Sequence, residues 1–345
     1  MSMTTRQLLR TLLVGVLFAS GSWLQAEPQP ASSPDAAAEG KQGTRSVSEW
    51  LMRMHEASRR RAYIGTFVVS AEGSMSSAKI WHVCDGVQQI ERVESLTGAP
   101  RSTFRHNDQV ITFLPDSKVA VSEKRESLGL FPNLLKANDF SIPKFYSARL
   151  TGSERVAGFD ADVVLLKPKD SLRFGYRVWS EKKTGLVIKL ETLDVDGRVL
   201  EQAAFSDLEM DAPVSMSKLS KMMEHTDGYR VEKPSLAKTT AKAEGWALKT
   251  EVPGFHAMSC YKRSVAADGN PAPMGTVQWV FSDGLASVSL FVDAFDPRRH
   301  GKEGVMSMGA TQMLTQRLQD WWLTVVGEVP PQTLQAFAQG LERRK

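Results

Sequence analysis

Between Phe174 and Gln202 apolar and polar side chains alternate in three runs separated by two turns. Phe174, Tyr176 and Val178 share one face, Lys183-Thr184-Gly185 reverses the chain, and Leu186, Ile188 and Leu190 resume the alternation. Asp196-Gly197 then predicts a two-residue hairpin, since both residues tolerate positive φ. Period-two alternation sends successive side chains to opposite faces. The stretch is a three-stranded antiparallel meander whose apolar face needs a cover.

The same rhythm runs through the first half. Strands are expected at Tyr63–Ser70, Lys79–Cys84, Val87–Ser95, Arg101–Arg105 and Val110–Leu114. Glu72-Gly73, Asp85-Gly86, Thr97-Gly98 and His106-Asn107-Asp108 punctuate them. Regular spacing with Gly, Asp and Asn at the breaks describes a β-rich domain. A helix precedes the strands: Ser46-Val47-Ser48-Glu49 fits a capping box, and Val47, Trp50, Leu51 and Met54 form a stripe at helical spacing.

One segment breaks the alternation. Ser127 to Tyr146 carries two prolines and Leu130, Phe131, Leu134, Leu135, Phe140, Ile142 and Phe145, too many apolar groups to leave in water without a sticky patch. So long a connection is either a plug that completes the core or a functional lid. The sheet is expected to end near Met210. Residues 213–243 turn to Ser, Lys, Thr, Met and Pro and read as a linker with a short helix near Met216–His225. A second domain follows. Its strands flank Ser282-Asp283-Gly284, Met313–Leu318 and Trp321–Val326 form a hairpin, and Pro330-Pro331 opens a last helix. Leu334, Phe337, Ala338 and Leu341 line its buried face, with Arg343, Arg344 and Lys345 at its C-terminal dipole.

The N-terminus places Arg6 and Arg10 before an apolar run from Leu12 to Ala19 and then Leu24-Gln25-Ala26, the layout of a secretory signal peptide. Residues 1–26 are read as that signal and 27–45 as a disordered Ala-, Ser- and Pro-rich leader. The expectation is a soluble periplasmic protein. The formal charge of +4 drops by two when Arg6 and Arg10 leave with the signal, too balanced for a nucleic-acid binder. Cys84 and Cys260 either pair across the domains, as an oxidising compartment permits, or stay apart as small buried hydrophobes.

No familiar catalytic pattern is present. His55, His82, His106, His225, His256 and His300 lack metal-ligand spacing. There is no G-x-S-x-G elbow, no Walker loop, no C-x-x-C and no dinucleotide fingerprint. His106-Asn107-Asp108 reads as an exposed turn. The chain is expected not to be an enzyme and to need no metal or cofactor. Two binding surfaces remain. Phe67, Trp81, Phe113, Phe174 and Tyr176 either line a cavity or fill a core, and Leu130, Phe131, Phe140 and Phe145 of the apolar segment join them. Arg298, Arg299 and Lys302 form a basic stretch suited to an acidic peptide or lipid phosphate, or a solvated loop.

Several short motifs together resemble the MucB/RseB family of periplasmic regulators of envelope-stress sigma factors. They are Ala99-Pro100-Arg101, Tyr176–Trp179, Leu193–Gly197 with Leu200–Gln202, Phe281–Leu285 and Val325–Thr333. The resemblance covers nearly all the chain after the signal and runs closest to the MucB branch. It implies a β-rich α+β fold. An N-terminal LolA-like antiparallel half-barrel with helices occupies 46–212, and a smaller α+β domain that grips an anti-sigma factor occupies 244–345. It implies binding to the periplasmic domain of an anti-sigma factor and protection of that domain from site-1 proteolysis. It also implies release when mislocalised lipid or lipopolysaccharide acyl chains bind, with alginate production as one output. Self-association is left open. The rival reading is a lipid or lipoprotein carrier without a regulatory partner, which would need only the first domain.

Overall fold

Ser46 starts the first helix as its sequence predicts. Its Oγ accepts a hydrogen bond from the Glu49 amide and the Glu49 carboxylate accepts one from the Ser46 amide, so two donors left over by the helix start are satisfied. The computed structural model describes residues 45–124, 131, 141–264, 266–267, 270–271 and 275–344. The stretches read as signal peptide and leader, up to residue 44, and most of the 127–146 segment lie outside the described residues, Leu130 and Phe140 among them.

Helix α1 (Val47–Arg60) leads into a meander of β1 (Tyr63–Ala71), β2 (Ser74–Cys84), β3 (Gln89–Ser95), β4 (Ser102–His106), β5 (Gln109–Leu114) and β6 (Val119–Lys124). The one-turn α2 (Ile142–Phe145) opens a second meander. It comprises β7 (Tyr146–Val156), β8 (Phe159–Pro168), β9 (Gly175–Glu181), β10 (Val187–Leu193) and β11 (Val199–Met210). Antiparallel pairing of β1 with β11 fuses the two into one sheet running from β6 through β1 and β11 to β7. Helix α3 (Met216–Glu224) follows, and β12 (Arg230–Glu232) adds to β6 in parallel.

The remaining chain builds a second sheet. Its first strands are β13 (Ser235–Lys238), β14 (Trp246–Leu248), β15 (His256–Ser264), β16 (Ala266–Ala267), β17 (Asn270–Pro271), β18 (Thr276–Ser282) and β19 (Ser287–Ala294). Then come β20 (Gly304–Met308), β21 (Thr311–Leu318), β22 (Trp321–Gly327), helix α4 (Pro331–Gly340) and β23 (Leu341–Arg343). Seven of these strands lie in the order β13-β15-β18-β19-β22-β21-β20, and β14 pairs with β23. Leu334, Phe337 and Ala338 of α4 cover the sheet, with the Phe337 ring 4.9 Å from Phe281 and 5.6 Å from Phe255. The expected β-rich α+β class, a large open antiparallel sheet with helices beside a smaller α+β unit, is the observed one. The stretch read as a linker holds α3 and β12 on the first sheet and β13 on the second.

Two local expectations need correction. The Asp196-Gly197 turn is a five-residue connection, Asp194 to Arg198, with Gly197 alone at positive φ. Asp194 organises it by accepting hydrogen bonds from the Asp196 and Arg198 amides, a local carboxylate-to-backbone bond that competes with a tight hairpin. At the C-terminus, Arg343 does not face the dipole of α4. It sits in β23, where its guanidinium lies 5.0 Å from the Trp246 ring and 4.6 Å from that of Trp321. Between two indoles a cation gains more than at an exposed helix end. Cys84 and Cys260 are separate free thiols.

The first sheet is apolar on both faces, and the helices divide them. On one face α1 lays Val47, Trp50, Leu51 and Met54 against Val164, Leu166, Tyr176 and Val178, while its Ala57 meets Tyr63, Ile80 and Phe205. On the other face α3 lays Leu219 and Met223 against Ile90, Phe104, Ile111 and Phe113.

Candidate functional site

Period-two alternation distributes the predicted aromatic set. Phe67 pairs with Phe205 and Ala78, whereas Trp81 pairs with Ile64 and Arg92, and Arg92 with Phe104. Phe67 therefore faces α1, where its ring lies 5.5 Å from Phe131 and 6.2 Å from Phe205. Phe205 was missed in the sequence. It closes on Gly65, where a Cβ would stand 2.5 Å from its ring. Trp81 and Phe113 face α3 instead. Phe145 and Tyr176 belong to the cluster under α1 with Tyr146, and Phe174 is buried. Of the nine residues expected to line one pocket, Leu130 and Phe140 lie outside the described residues, and Phe67 and Phe131 are parted from Trp81 and Phe113 because neighbouring strand positions point to opposite sides of the sheet.

An open cleft of about 850 Å³ lies on the α3 side. Phe104, Phe113, Met222 and Tyr229 supply its apolar wall, with the Phe113 ring 5.7 Å from Phe104 and 5.1 Å from Tyr229, both edge-on. Pro100 and Pro115 add apolar rim, while Arg92, Arg101, Lys218, Lys221 and His225 are polar neighbours and Glu94 is the single carboxylate. Arg92 is held in place: it donates to Glu94 at 2.7 Å and to Ser102 at 3.1 Å, and its guanidinium lies over Trp81 at 4.8 Å. Lys218 and Lys221 lie one turn apart on α3, opposite the buried Leu219 and Met223. An apolar wall with a cationic rim accepts an anionic amphiphile. The signal for this was present, since Ser215 caps α3 and the Leu219/Met223 and Lys218/Lys221 spacings define two faces.

The second feature missed in the sequence joins the two sheets. Arg173, wholly buried, precedes β9 and donates through Nε to Asp283 Oδ2 at 2.9 Å, through Nη1 to the Asp170 carboxylate and through Nη2 to the Pro253 carbonyl. Its guanidinium also lies 4.2 Å from the Phe145 ring and 5.1 Å from that of Phe255. Asp283, in the β18–β19 turn, accepts from the Leu285 and Ala286 amides and from the Tyr146 hydroxyl at 3.1 Å. Burial raises the Asp283 carboxyl, while those amides, Arg173 and Tyr146 pull it back. Leu285 from the same turn is buried among the residues under α1. Gln332 and Thr333 add 2.7 Å bonds to the Ser171 and Leu172 carbonyls. Gly254 (φ +80°) leaves room for this clamp, since a Cβ there would strike Arg173 and Phe145.

The expected partner-binding cations lie between β19 and β20. Arg298 is exposed and folds back on Asp296 at 3.1 Å, while Arg299 and Lys302 are exposed. A further hollow of about 540 Å³ in the second half is lined by Trp246, Phe255, Cys260 and Trp279. Burial pushes the Cys260 thiol up to about 11, so it is unreactive near neutral pH. Among the described residues no three His, Cys, Asp or Glu side chains come together as a metal site, and no helix is long and apolar enough to cross a membrane.

Two clamped sheets with an open basic cleft define a binding scaffold. Residues 46–223 match the MucB/RseB N-terminal domain and residues 240–342 the MucB/RseB C-terminal domain. The chain belongs to the MucB/RseB family. It is 29% identical over 297 residues to the sigma factor AlgU regulatory protein MucB of Pseudomonas aeruginosa, covering 85% of this chain and 89% of that one. It is 24% identical over 298 residues to the sigma-E factor regulatory protein RseB of Escherichia coli K12, again covering 85% and 89%. A solved structure of MucB in complex with the periplasmic part of MucA matches with a TM-score of 0.64 at 27% identity, over 86% of this chain and 99% of that one. A Pseudomonas aeruginosa MucA/MucB complex matches with a TM-score of 0.65 at 26% identity, with the same coverage. The two most telling likenesses thus join a sigma-factor regulator by name to a complex with its partner.

Proposed function

We propose that this protein is a periplasmic negative regulator without enzymatic activity. It binds the periplasmic domain of a transmembrane anti-sigma factor and shields it from site-1 proteolysis. One observation carries the reading: both halves of the chain match the two MucB/RseB domains in order, and MucB itself is known in complex with the periplasmic part of MucA. A lipid carrier would need only the first sheet, so the clamped second sheet favours the regulator.

The partner is released when acyl chains of mislocalised lipid or lipopolysaccharide bind, and alginate production follows from the freed sigma factor. The α3 cleft suits that role better than the α1 face. The α1 face is closed by Phe67, Phe131 and Phe205, whereas the cleft is open, apolar within and cationic at the rim. Its volume falls within the ~300–1,000 Å³ range of ligand sites. Lipid acts only if it binds the partner-free form better, and a tenfold loss of partner affinity needs about 1.4 kcal/mol of differential binding. The test is fluorescence anisotropy of a labelled anti-sigma periplasmic domain with the mature protein, before and after titrating lipid A. Tight binding that lipid relieves is the expected result. Lipid uptake without partner binding would give the case to the carrier.

A further inference from the structure

Edge strands present unpaired N–H and C=O groups, and proteins blunt them with charge, bulges or brevity. Among the described residues, three of the four edges of the two large sheets are defended in that way. β12 is three residues long with Arg230 and Glu232; β7 carries Arg149, Glu154 and Arg155 and a bulge between Leu150 and Gly152; β13 is four residues long and ends at Lys238. β20 is the exception. Gly304-Val305-Met306-Ser307-Met308 holds no charge and no proline, every residue is exposed, and it pairs regularly with β21 on one side alone among the described residues.

The exposed side chains are apolar: Met306 is 63% and Met308 73% exposed, and both lie on the side of β20 that faces Met313 across the ladder. Methionines adapt to varied apolar partners. Arg299, Lys302 and the single carboxylate Glu303 stand exposed just before the strand, with Arg298 already tied to Asp296, so this end is net positive. From the unpaired backbone, the methionine ridge and the cations at one end, the geometry points to β20 as a strand-addition site. Its occupant is an extended segment of the anti-sigma factor's periplasmic domain. That segment runs antiparallel to β20, sets apolar side chains on Met306 and Met308, and carries acidic residues at its C-terminal end opposite Lys302 and Arg299. Only a polypeptide satisfies the free backbone groups, which excludes lipid as the occupant. The inference rests on the regulator reading above and adds where and how the partner is held.

The test uses the full mature chain and the periplasmic domain of MucA as probe. Hydrogen exchange is followed at residues 304–308 with and without the probe, and affinity is compared between the natural chain and a Met306→Lys/Met308→Lys variant. Both positions are exposed, so thermal unfolding should match the natural chain. Slowed exchange in β20 and at least tenfold weaker binding in the variant are the expected results. Probe binding with β20 exchange and variant affinity unchanged would overturn strand addition while leaving the regulator reading intact. Absence of probe binding to the natural chain would overturn both. A variant that loses self-association but keeps its affinity for the probe would assign the edge to a second copy instead, and overturn the proposal.

Discussion

Arg173 and Lys221 carry the same charge in opposite settings. Arg173 is sealed between the two sheets, with donors spent on Asp283, Asp170 and Pro253 and its guanidinium beside the Phe145 and Phe255 rings. Lys221 lines an open cleft together with Lys218, and among the described residues neither has an ion-pair partner. A buried charge with every direction answered holds architecture. Cations left spare beside an apolar wall are free to meet a ligand. The contrast separates what fixes the two halves from what can respond to a bound molecule.

The largest effect should come from breaking the buried side of that contrast. Arg173→Met leaves the buried Asp283 without its cation, facing only the Leu285 and Ala286 amides and the Tyr146 hydroxyl, and removing one partner of a buried pair costs about 3–5 kcal/mol. Urea unfolding followed by tryptophan fluorescence should show that loss. The double variant Arg173→Met/Asp283→Leu should recover part of it, since it leaves no unpaired charge. A loss below about 1 kcal/mol in the single variant would mean that the clamp is not structural.

Next in size is the apolar counterpart on the α1 face. Phe205 is 3% exposed and touches Tyr63, Phe67, Phe131 and the backbone at Gly65. Phe205→Ala should cost about 3–5 kcal/mol, because Phe→Ala in a core leaves a cavity that fixed neighbours cannot fill. The same change at Met222, half-buried on the cleft wall, should cost clearly less in the same unfolding experiment.

The division between legible and hidden follows the same physics. Strand positions and the capped α1 were readable because alternation and cap chemistry are local, and Ser46, Val47 and Trp50 behave as their spacing says. The faces were not readable. Phe67 and Trp81 are equally apolar, and their separation depends on the register between β1 and β2, a long-range fact. Asp283 read only as part of a turn between strands, because Asp-Gly favours turns wherever they lie, and nothing local says that this turn enters another core. The family resemblance came from motifs containing Arg101 and Asp283, whose roles only the fold displays.

A smaller effect concerns pH. His82 is buried, stacked 4.8 Å from Tyr63, and bonded through Nδ1 to the Arg61 carbonyl. Burial lowers its pKa below 6.5, against an opposing pull from Glu91. The folded chain therefore takes up this proton less readily than the unfolded chain. The contribution of His82 is fully present above about pH 6.5 and is lost as pH falls from there through the lower folded value. Unfolding midpoints from pH 7.5 to 5 should decline, and the slope should flatten in His82→Phe, which keeps a ring against Tyr63. An unchanged slope would place the titration elsewhere.

The smallest expected change in stability is also the most informative about the cleft. Lys218→Ala/Lys221→Ala removes two cations that hold no ion-pair partner among the described residues and lie on the helix face away from Leu219 and Met223. Alanine favours helix slightly over lysine, and surface changes of this kind stay within about 0.5 kcal/mol. Folding is thus preserved, so a change in ligand behaviour reads the site itself. Binding of lipid A by the variant should weaken at least tenfold, and added salt should narrow the difference from the natural chain, because exposed charges are screened. The anti-sigma domain should bind the variant as before while lipid fails to release it. If lipid still releases the partner at its usual concentration, the cations are idle and the acyl chains enter by another face; the α1 side, with Phe67, Phe131 and Phe205, would then be the place to cut.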